Sequence, residues 1–364
     1  MQDEVLKYMG IKVQDLVPPP NNPTVSSNSV AFFVVRLANF SNTILPVFLD
    51  HVAKGNQVEV EKTLEQYGAL LLWQEGQAET YAKDLNGDLV IVRGTALQIA
   101  LGAEDEDMVE VIVGFLDAVD PGEKYRQYQA QFPAEEEKAE SLRQQEDLEA
   151  LQTIVTAIGH ASPRACAQVL DHEENISDND DEAKTLLAAL NVFRNDVKPK
   201  GVIKTGKQFN IQLLIQAFQF YDKNYETFGG FNSPKNNLCW CKIIGYLQRF
   251  VPACYAQAFA QGIYYIVEGG EGLRRSFNFR FSDGSYFPLD TVPNIRWGYN
   301  CAGAGLGSGG GRRCGRLARM LVGGGGRADV FWKTMSNKNN SNAKKHATIR
   351  RPLLCQKGRS KTSS

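Results

Sequence analysis

The sequence predicts an all-α protein: a solenoid of short stacked helix pairs with one long hairpin loop, followed by a helical C-terminal module that carries a small β-hairpin. Three observations support this prediction. Apolar residues recur at helical spacing, two blocks share one helix–glycine–helix layout, and hairpin turns of the Asn-Gly and Asp-Gly type occur in two short stretches. With 364 residues, 43% of them hydrophobic, the chain can bury a substantial core.

Charge and cysteine content limit the functional class. The 40 lysines and arginines nearly cancel the 41 aspartates and glutamates, so no overall field favours nucleic acid. The middle of the chain is acidic, and the tail from Arg327 onward is basic. Seven scattered cysteines do not resemble a disulfide framework, and we interpret them as reduced thiols.

The N-terminal stretch MQDEVLKYMGIKVQDLVPPP has neither the basic start nor the apolar core of a signal peptide. No apolar run approaches the roughly eighteen residues that a transmembrane helix needs. The expected location is therefore a cytosol, either that of the producing cell or that of a host cell into which the protein is secreted.

Composition divides the chain into five parts. They are an N-terminal helix and proline-rich loop (1–28), paired helices (29–125), a helical extension with a degenerate third helix pair (126–207), an aromatic-rich helical module with a hairpin (208–300), and a glycine-rich and basic tail (301–364). In the extension, the charges of AEEEKAESLRQQED are interpreted as a solvated helix face. The tail is predicted to be disordered.

The blocks FLDHVAKGNQVEVEKTLEQYGA and ALQIALGAEDEDMVEVIVGFLDA share one layout of short helix, glycine, polar residues and second helix. In the second block, Thr95 is predicted to cap the first helix, and Asp105 to cap the next one. Gly102 is expected to take the left-handed conformation that ends the first helix, as Gly55 would in the first block.

GTALQIAL, residues 94–101, resembles the Thr-Pro-Leu-His-x-Ala signature of ankyrin repeats, with Ala96 in place of proline and Gln98 in place of histidine. The matching alanines, Ala53 and Ala100, lie 47 residues apart, where the family period is about 33. The excess fits an enlarged loop with a hairpin turn at Asn86-Gly87. The resemblance covers about residues 45–120 and implies helix pairs that present loops to a protein partner.

The C-terminal module contains three apolar helices, FNIQLLIQAFQFYDKNY, NLCWCKIIGYLQRFV and ACYAQAFAQGIYYIV, and a hairpin at Asp283-Gly284. The ankyrin-like block together with KIIGYLQRFVPACYAQAFAQGIYYIV resembles ankyrin-containing effectors of Legionella-type intracellular bacteria. That resemblance implies delivery by type IV secretion and action by binding a eukaryotic host protein.

The motifs that could carry chemistry are weak. GLGSGG at 305–310 matches a dinucleotide fingerprint, with Asp329 about twenty residues on, but no buried strand precedes it and the surroundings are glycine-rich. Cys239 and Cys241 point to different sides of a helix, which argues against a shared metal ion. Four histidines, with no nucleophile motif, do not support a hydrolase triad. We predict no cofactor, no metal and no catalytic residues.

The leading hypothesis is a non-catalytic protein-binding protein that contacts its partner through the enlarged loop, at Trp73, Tyr81, Lys83 and Asn86. The alternative is an enzyme of unknown type with its site in the C-terminal module, using Asp222, Glu226, Lys242 and Arg249. A third hypothesis is that the protein is a structural unit of a bacterial assembly. Contact with nucleic acid or an anionic membrane is expected only through the basic tail.

Overall fold

The computed structural model describes residues 43–230 and 233–261, together with 272–273, 275, 279–280 and 286–287. These residues form a mostly helical fold, as the sequence predicts. The predicted N-terminal helix and loop (1–28) and the glycine-rich and basic tail (301–364) lie outside the described residues.

The first group of elements comprises α1 (Leu45–Ala53), α2 (Gln57–Tyr67), a 3-10 turn (Gly68–Trp73), β1 (Gly76–Lys83), β2 (Leu89–Gly94), α3 (Ala96–Gly102) and α4 (Glu106–Asp117). The second comprises α5 (Glu123–Gln131), α6 (Ala134–His160), α7 (Pro163–Asp171), a 3-10 turn (Glu173–Asn175), α8 (Asp181–Val197), α9 (Ile211–Asn224), α10 (Pro234–Leu238), a π-helical segment (Cys239–Ile244), α11 (Gly245–Gln248) and α12 (Ala253–Gln261). Strands β3 (Phe279–Arg280) and β4 (Tyr286–Phe287) pair antiparallel on either side of the predicted Asp283-Gly284 turn, which lies outside the described residues.

The helix starts follow the predicted caps. Thr95 begins α3 with a complete capping box: its hydroxyl accepts from the backbone N–H of Gln98, and the Gln98 side chain accepts from the Thr95 N–H at 2.9 Å. Asp105 caps α4 by accepting the N–H of Met108 at 3.2 Å. Gln98 is therefore part of the cap.

The two helix pairs turn in the same way, but at a different residue from the one predicted. Gly55 has a φ of +69°, and the residue that matches it in the second pair is Glu104, with a φ of +55°, rather than Gly102. In each pair the next residue, Asn56 or Asp105, donates its N–H back into the preceding helix. Both links are thus Schellman motifs.

Gly102 is required for close packing instead of for the turn. A Cβ atom at this position would lie 3.0 Å from Nε2 of Gln131 and 3.1 Å from the carbonyl oxygen of Gly206. The expectation that Gly102 provides the left-handed residue was wrong, because α3 continues through Gly102 and ends two residues later than the glycine suggests.

Buried side chains form two hydrophobic clusters. The first gathers α1 to α4, the hairpin β1–β2 and Tyr128 of α5. The second gathers the C-terminal half of α6 and the helices from α7 to α12. Helix α9 is buried on several sides, as its apolar pattern predicts.

The predicted solenoid is not present in the described part of the chain. The third helix pair, α7 and α8, has the predicted helix–turn–helix layout but packs into the second cluster with α6, instead of continuing a stack on α3 and α4. The 27-residue helix α6 redirects the chain, and its apolar C-terminal half forms a separate core.

Candidate functional site

The hairpin β1–β2 is the enlarged loop of the prediction, and its turn is closed by Asp84 and Gly87. The Asp84 carboxylate accepts backbone N–H groups from Asn86 at 2.8 Å and Asp88 at 3.0 Å. Gly87 has a φ of +90°, as the Asn-Gly turn predicts. Burial acts to raise the pKa of Asp84, but hydrogen bonds from Lys198, Asp88 and Asn86 lower it overall.

Arg249, at the C-terminal end of α11, fastens the turn to the rest of the molecule. Its Nε donates to the Lys83 carbonyl at 3.0 Å, and its Nη2 donates to the Asp84 carbonyl at 2.7 Å. The Lys198 ammonium lies 3.1 Å from the Asp84 carboxylate. The arginine is only 4% exposed, so the planar guanidinium holds the turn from inside the protein.

The four residues predicted to bind a partner do not form one surface. Asn86 is exposed at the hairpin tip, whereas Trp73, 37% exposed, precedes the base of the hairpin. Tyr81 is half-buried against the second cluster, and burial raises its pKa. Lys83 is half-buried and offers its carbonyl to Arg249. Sequence reasoning missed Leu85, an apolar residue 44% exposed beside Asn86.

The residues of the enzyme alternative are also dispersed. Asp222 and Glu226 are exposed, while Lys242 is buried and lies 2.8 Å from the Glu173 carboxylate. Glu173 also accepts from Arg194. These charges link the turn after α7 to α8 and to the π-helical segment, and Arg249 holds the hairpin, so the polar positions of this module join elements together.

The described cysteines are enclosed. Cys166, Cys239, Cys241 and Cys254 are all buried and reduced. Burial raises the pKa of Cys166 to about 11 and that of Cys239 to about 12, so both remain thiols near neutral pH. Among the described residues, no group of three or more His, Cys, Asp or Glu side chains is arranged to hold a metal ion. GLGSGG, Asp329 and the basic tail lie outside the described residues.

A charged cleft of about 900 Å³ is the other candidate site. One wall is a polar face of α6, with Glu136, Glu140, Arg143 and Asp147 at positions i, i+4, i+7 and i+11. The opposite wall is residues 198–208, here called the strap, which runs from the end of α8 towards α9. The sequence-based interpretation of the α6 charges as a solvated face was therefore incomplete.

The strap is fixed at its centre to the edge of the hairpin. The Ile203 N–H donates to the Ile91 carbonyl at 3.0 Å, and the Ile203 carbonyl accepts from the Arg93 N–H at 2.8 Å, which makes a parallel β-bridge. Thr205 donates to Glu136 at 3.0 Å. The strap is therefore held against the edge of β2 by a single β-bridge and forms the outer side of the cleft.

The C-terminal end of the strap is held in the packed region around Gly102. The Gly206 N–H donates to the Gln131 carbonyl at 2.7 Å, and the Gln131 side chain donates back to the Gly206 carbonyl at 2.7 Å. Gln208 donates its backbone N–H to Gly102 and its side chain to Ile99, both at 2.8 Å. These hydrogen bonds fix the position of the C-terminal end of the strap.

Lys207 joins the strap to two carboxylates. Its ammonium lies 2.9 Å from Glu104 and 3.7 Å from Glu140, and Tyr255 of α12 donates to Glu104 at 3.5 Å. Burial raises the pKa of Glu140, although Lys207 opposes the change. Burial acts to lower the pKa of Lys207, but Glu104 and Glu140 together more than compensate, so that pKa is raised.

Asp147 has a neutral partner. The Asn210 amide donates to it at 3.0 Å. Burial raises the pKa of Asp147, and the neighbouring charge of Glu146 adds to the change, while Asn210, Arg143 and Lys200 act against it. Glu140 and Asp147 lie about 10 Å apart along α6, given the helical rise of about 1.5 Å per residue, and both line the cleft. Glu140 has the Lys207 ammonium at 3.7 Å, whereas Asp147 forms no ion pair among the described residues.

No protein family, no curated protein and no solved structure matches this chain. Among the described residues, no helix combines the length and the apolar character needed to cross a bilayer. The class of the protein rests on its own fold: a mostly helical chain with an anchored β-hairpin and a charged cleft.

The sequence contains a signal for the cleft that our prediction did not use. Four charged residues of α6 follow one helical stripe, and the later stretch KPKGVIKTGK carries four lysines. The charged stripe and the lysines could form the two walls of a cleft. About fifty residues separate them in the sequence, and only the folded chain shows that they lie together.

Proposed function

We propose that this is a non-catalytic protein–protein interaction protein, which binds its partner through the tip of the hairpin β1–β2. The single observation that carries the proposal is the anchoring of an exposed turn by buried groups, the Arg249 guanidinium above all. An exposed loop held in one conformation loses little entropy on binding, which favours affinity.

The tip offers a mixed surface of the kind found in protein interfaces. Residues 85–88 are all exposed, and Leu85 supplies an apolar contact beside the polar Asn86. The inward side of the same turn is occupied by Asp84, which holds the backbone from within. Contact residues and supporting residues are therefore separate, so the former can be changed without loss of the turn.

The shared Schellman links support a relationship between the two helix pairs and an ankyrin-like repeat. In both pairs a short helix is followed by a residue in the left-handed conformation, an N-cap residue and a second helix. The first helix of the second pair starts with the Thr95 capping box. On this proposal the two pairs form a short ankyrin-like unit, extended by the hairpin. An effector role inside a eukaryotic host cell rests on the resemblance alone, as does contact with nucleic acid or anionic membrane through the basic tail.

The test places a photo-cross-linking amino acid at Leu85 of the full chain and, as the matched control, at Val192, an exposed apolar residue of α8. Eukaryotic and bacterial lysates are irradiated in parallel. We expect a protein that cross-links from position 85 but not from position 192, and a preference for the eukaryotic lysate if the effector role holds. Equal products from both positions, or none, would overturn the proposal.

A second stage uses the purified partner. Leu85→Ser combined with Asn86→Ala should weaken binding by at least about tenfold, which corresponds to 1.4 kcal/mol. Tyr81→Phe is the suitable variant for the predicted contact at Tyr81, because alanine would also remove core packing. Unchanged binding of the double variant would rule out the tip as the contact surface.

A further inference from the structure

The cleft between α6 and the strap has the size and lining of a small-molecule site. Its volume of about 900 Å³ lies within the range of ligand pockets in proteins. Besides charged groups, its lining includes the apolar side chains of Val197, Ile203, Phe209 and Leu213. A ligand with a short aliphatic chain would remove apolar surface from water there.

The charges on the α6 wall leave a negative excess. Glu136 is neutralised by Arg143, and Lys207 is closer to Glu104 than to Glu140. Asp147 takes part in no ion pair among the described residues and has the neutral amide of Asn210 as its hydrogen-bond partner. This wall therefore suits an ammonium or guanidinium group.

The strap carries the opposite excess at the rim. Lys198 pairs with Asp84 of the hairpin turn, but Lys200 and Lys204 are exposed and form no ion pair within the described part of the chain. Asp147 on α6 and Lys200 on the strap both line the cleft, and the charge of Lys200 acts to lower the pKa of Asp147. An anionic group held by these lysines would lie across the cleft from a cation held by Asp147.

We propose that this cleft binds a small zwitterion, an aliphatic chain with an ammonium or guanidinium group at one end and an anionic group at the other. The cationic end contacts Asp147, and the anionic end contacts Lys200 and Lys204. The proposal shares no contact residue with the hairpin tip, so either site can fail its test without affecting the other.

The pH dependence of binding follows from the groups that face Asp147, namely Arg143 and Glu146 on α6, Lys200 on the strap, and Asn210. Burial holds the pKa of Asp147 above its ordinary value. An ammonium group beside the carboxylate would lower that pKa. Binding of the zwitterion should therefore strengthen as pH rises through the pKa of Asp147 and weaken in acid.

The experiment compares three probes by titration calorimetry with the full chain: ε-aminocaproate, cadaverine and caproate. They share a chain of similar length and carry both charges, only ammonium groups, or only a carboxylate. We expect ε-aminocaproate to bind at least about tenfold more tightly than either control. Equal binding of cadaverine or caproate, or binding of none at millimolar concentrations, overturns the proposal.

Variants locate the site. Asp147→Asn keeps an acceptor for the Asn210 amide and should weaken the binding of ε-aminocaproate by about tenfold. The double variant Lys200→Gln, Lys204→Gln should weaken this binding by about three- to tenfold. Lys138→Gln, on the exposed side of α6, is the matched control and should bind like the unmodified chain. If Asp147→Asn does not fold, the double variant of the exposed lysines still tests the proposal. Unchanged affinity of that double variant for ε-aminocaproate contradicts the proposal.

Discussion

Glu104 holds a backbone conformation that a residue with a side chain rarely adopts. Its φ of +55° ends α3, where the matching position in the first helix pair is a glycine. The left-handed conformation costs about 1–2 kcal/mol for a residue with a Cβ atom. The side chain offsets this by binding Lys207 and accepting from Tyr255, two contacts that join the strap and α12 to the first cluster.

Two substitutions separate the backbone from the side chain at this position. Glu104→Gly and Glu104→Ala both remove the carboxylate, but only alanine retains the backbone strain. We expect the glycine variant to be about 1 kcal/mol more stable than the alanine variant, measured by urea unfolding. Equal stabilities would mean that the turn relaxes around alanine.

Gly102 gives a second prediction at the residue scale. Gly102→Ala brings a Cβ atom to 3.1 Å from a backbone carbonyl that cannot move freely, and we expect a loss of about 1–3 kcal/mol in the free energy of unfolding. Gly114→Ala in α4 is the control, since no atom lies within 4 Å of its Cβ position. The control should gain about 0.5–1 kcal/mol from helix propensity.

At the scale of elements, buried charged side chains join neighbouring segments of this protein. The side chain of Glu173 is 16% exposed, and it meets Lys242, 4% exposed, and Arg194, 8% exposed. Glu173→Gln would leave two buried cations, and we expect a loss of about 2–4 kcal/mol in the free energy of unfolding. The control is Glu174→Gln, whose side chain is exposed.

The pH dependence of this loss has a definite sign. Burial acts to raise the pKa of Glu173, but Arg194 and Lys242 lower it overall. A depressed pKa contributes stability that is present above the unfolded value of about 4.3 and is lost as pH falls through the folded value. The difference in the free energy of unfolding between the parent chain and Glu173→Gln should therefore become smaller below about pH 4. A constant difference would exclude the carboxylate charge as its source.

Arg249 provides the matching prediction for the hairpin. Arg249→Ala removes this donor from the half-buried Lys83 carbonyl and the buried Asp84 carbonyl, and we expect a loss of about 2–4 kcal/mol in the free energy of unfolding. Hydrogen exchange at the Asp84 and Gly87 amides should accelerate. Lys223→Ala, an exposed change in α9, should leave both amides unaffected.

Local chemistry explains which elements the sequence could predict. The Thr95 capping box, the Asn86-Gly87 turn and the buried helix α9 depend on neighbours within a few residues, and each is present where predicted. The α6 stripe and the anchoring by Arg249 depend on partners that are distant in the chain. No local pattern encodes that Arg249 would bind backbone carbonyls about 165 residues earlier.

At the scale of the whole molecule, the mostly helical class could be predicted, but the arrangement of the helices could not. Helical spacing reveals which faces are apolar, and it does not show which helix covers them. The C-terminal half of α6 illustrates this limit, because its apolar residues form a second cluster instead of extending the first.

The two clusters should unfold together. Tyr255 contacts Glu104, and Cys254 contacts the Ala103 carbonyl at 3.5 Å. The strap, which connects α8 to α9 of the second cluster, is hydrogen-bonded to β2 and α3 of the first. In hydrogen exchange at increasing urea, we expect amides of α3 and α9 to converge on one free energy of opening. A separate, lower value for α3 would show that the first cluster opens alone.

The strap also has a consequence for the order in which the chain is made. Val92 of β2 forms a backbone β-bridge with Ile203. At translation rates of about 5–20 residues per second, the edge of β2 therefore stays unpaired for roughly 5 to 20 s after it leaves the ribosome. Leu89 and Ile91 are exposed with it during that interval, a situation that promotes strand pairing between nascent chains. The need for chaperones during synthesis should therefore depend on the time between the synthesis of β2 and the synthesis of the strap.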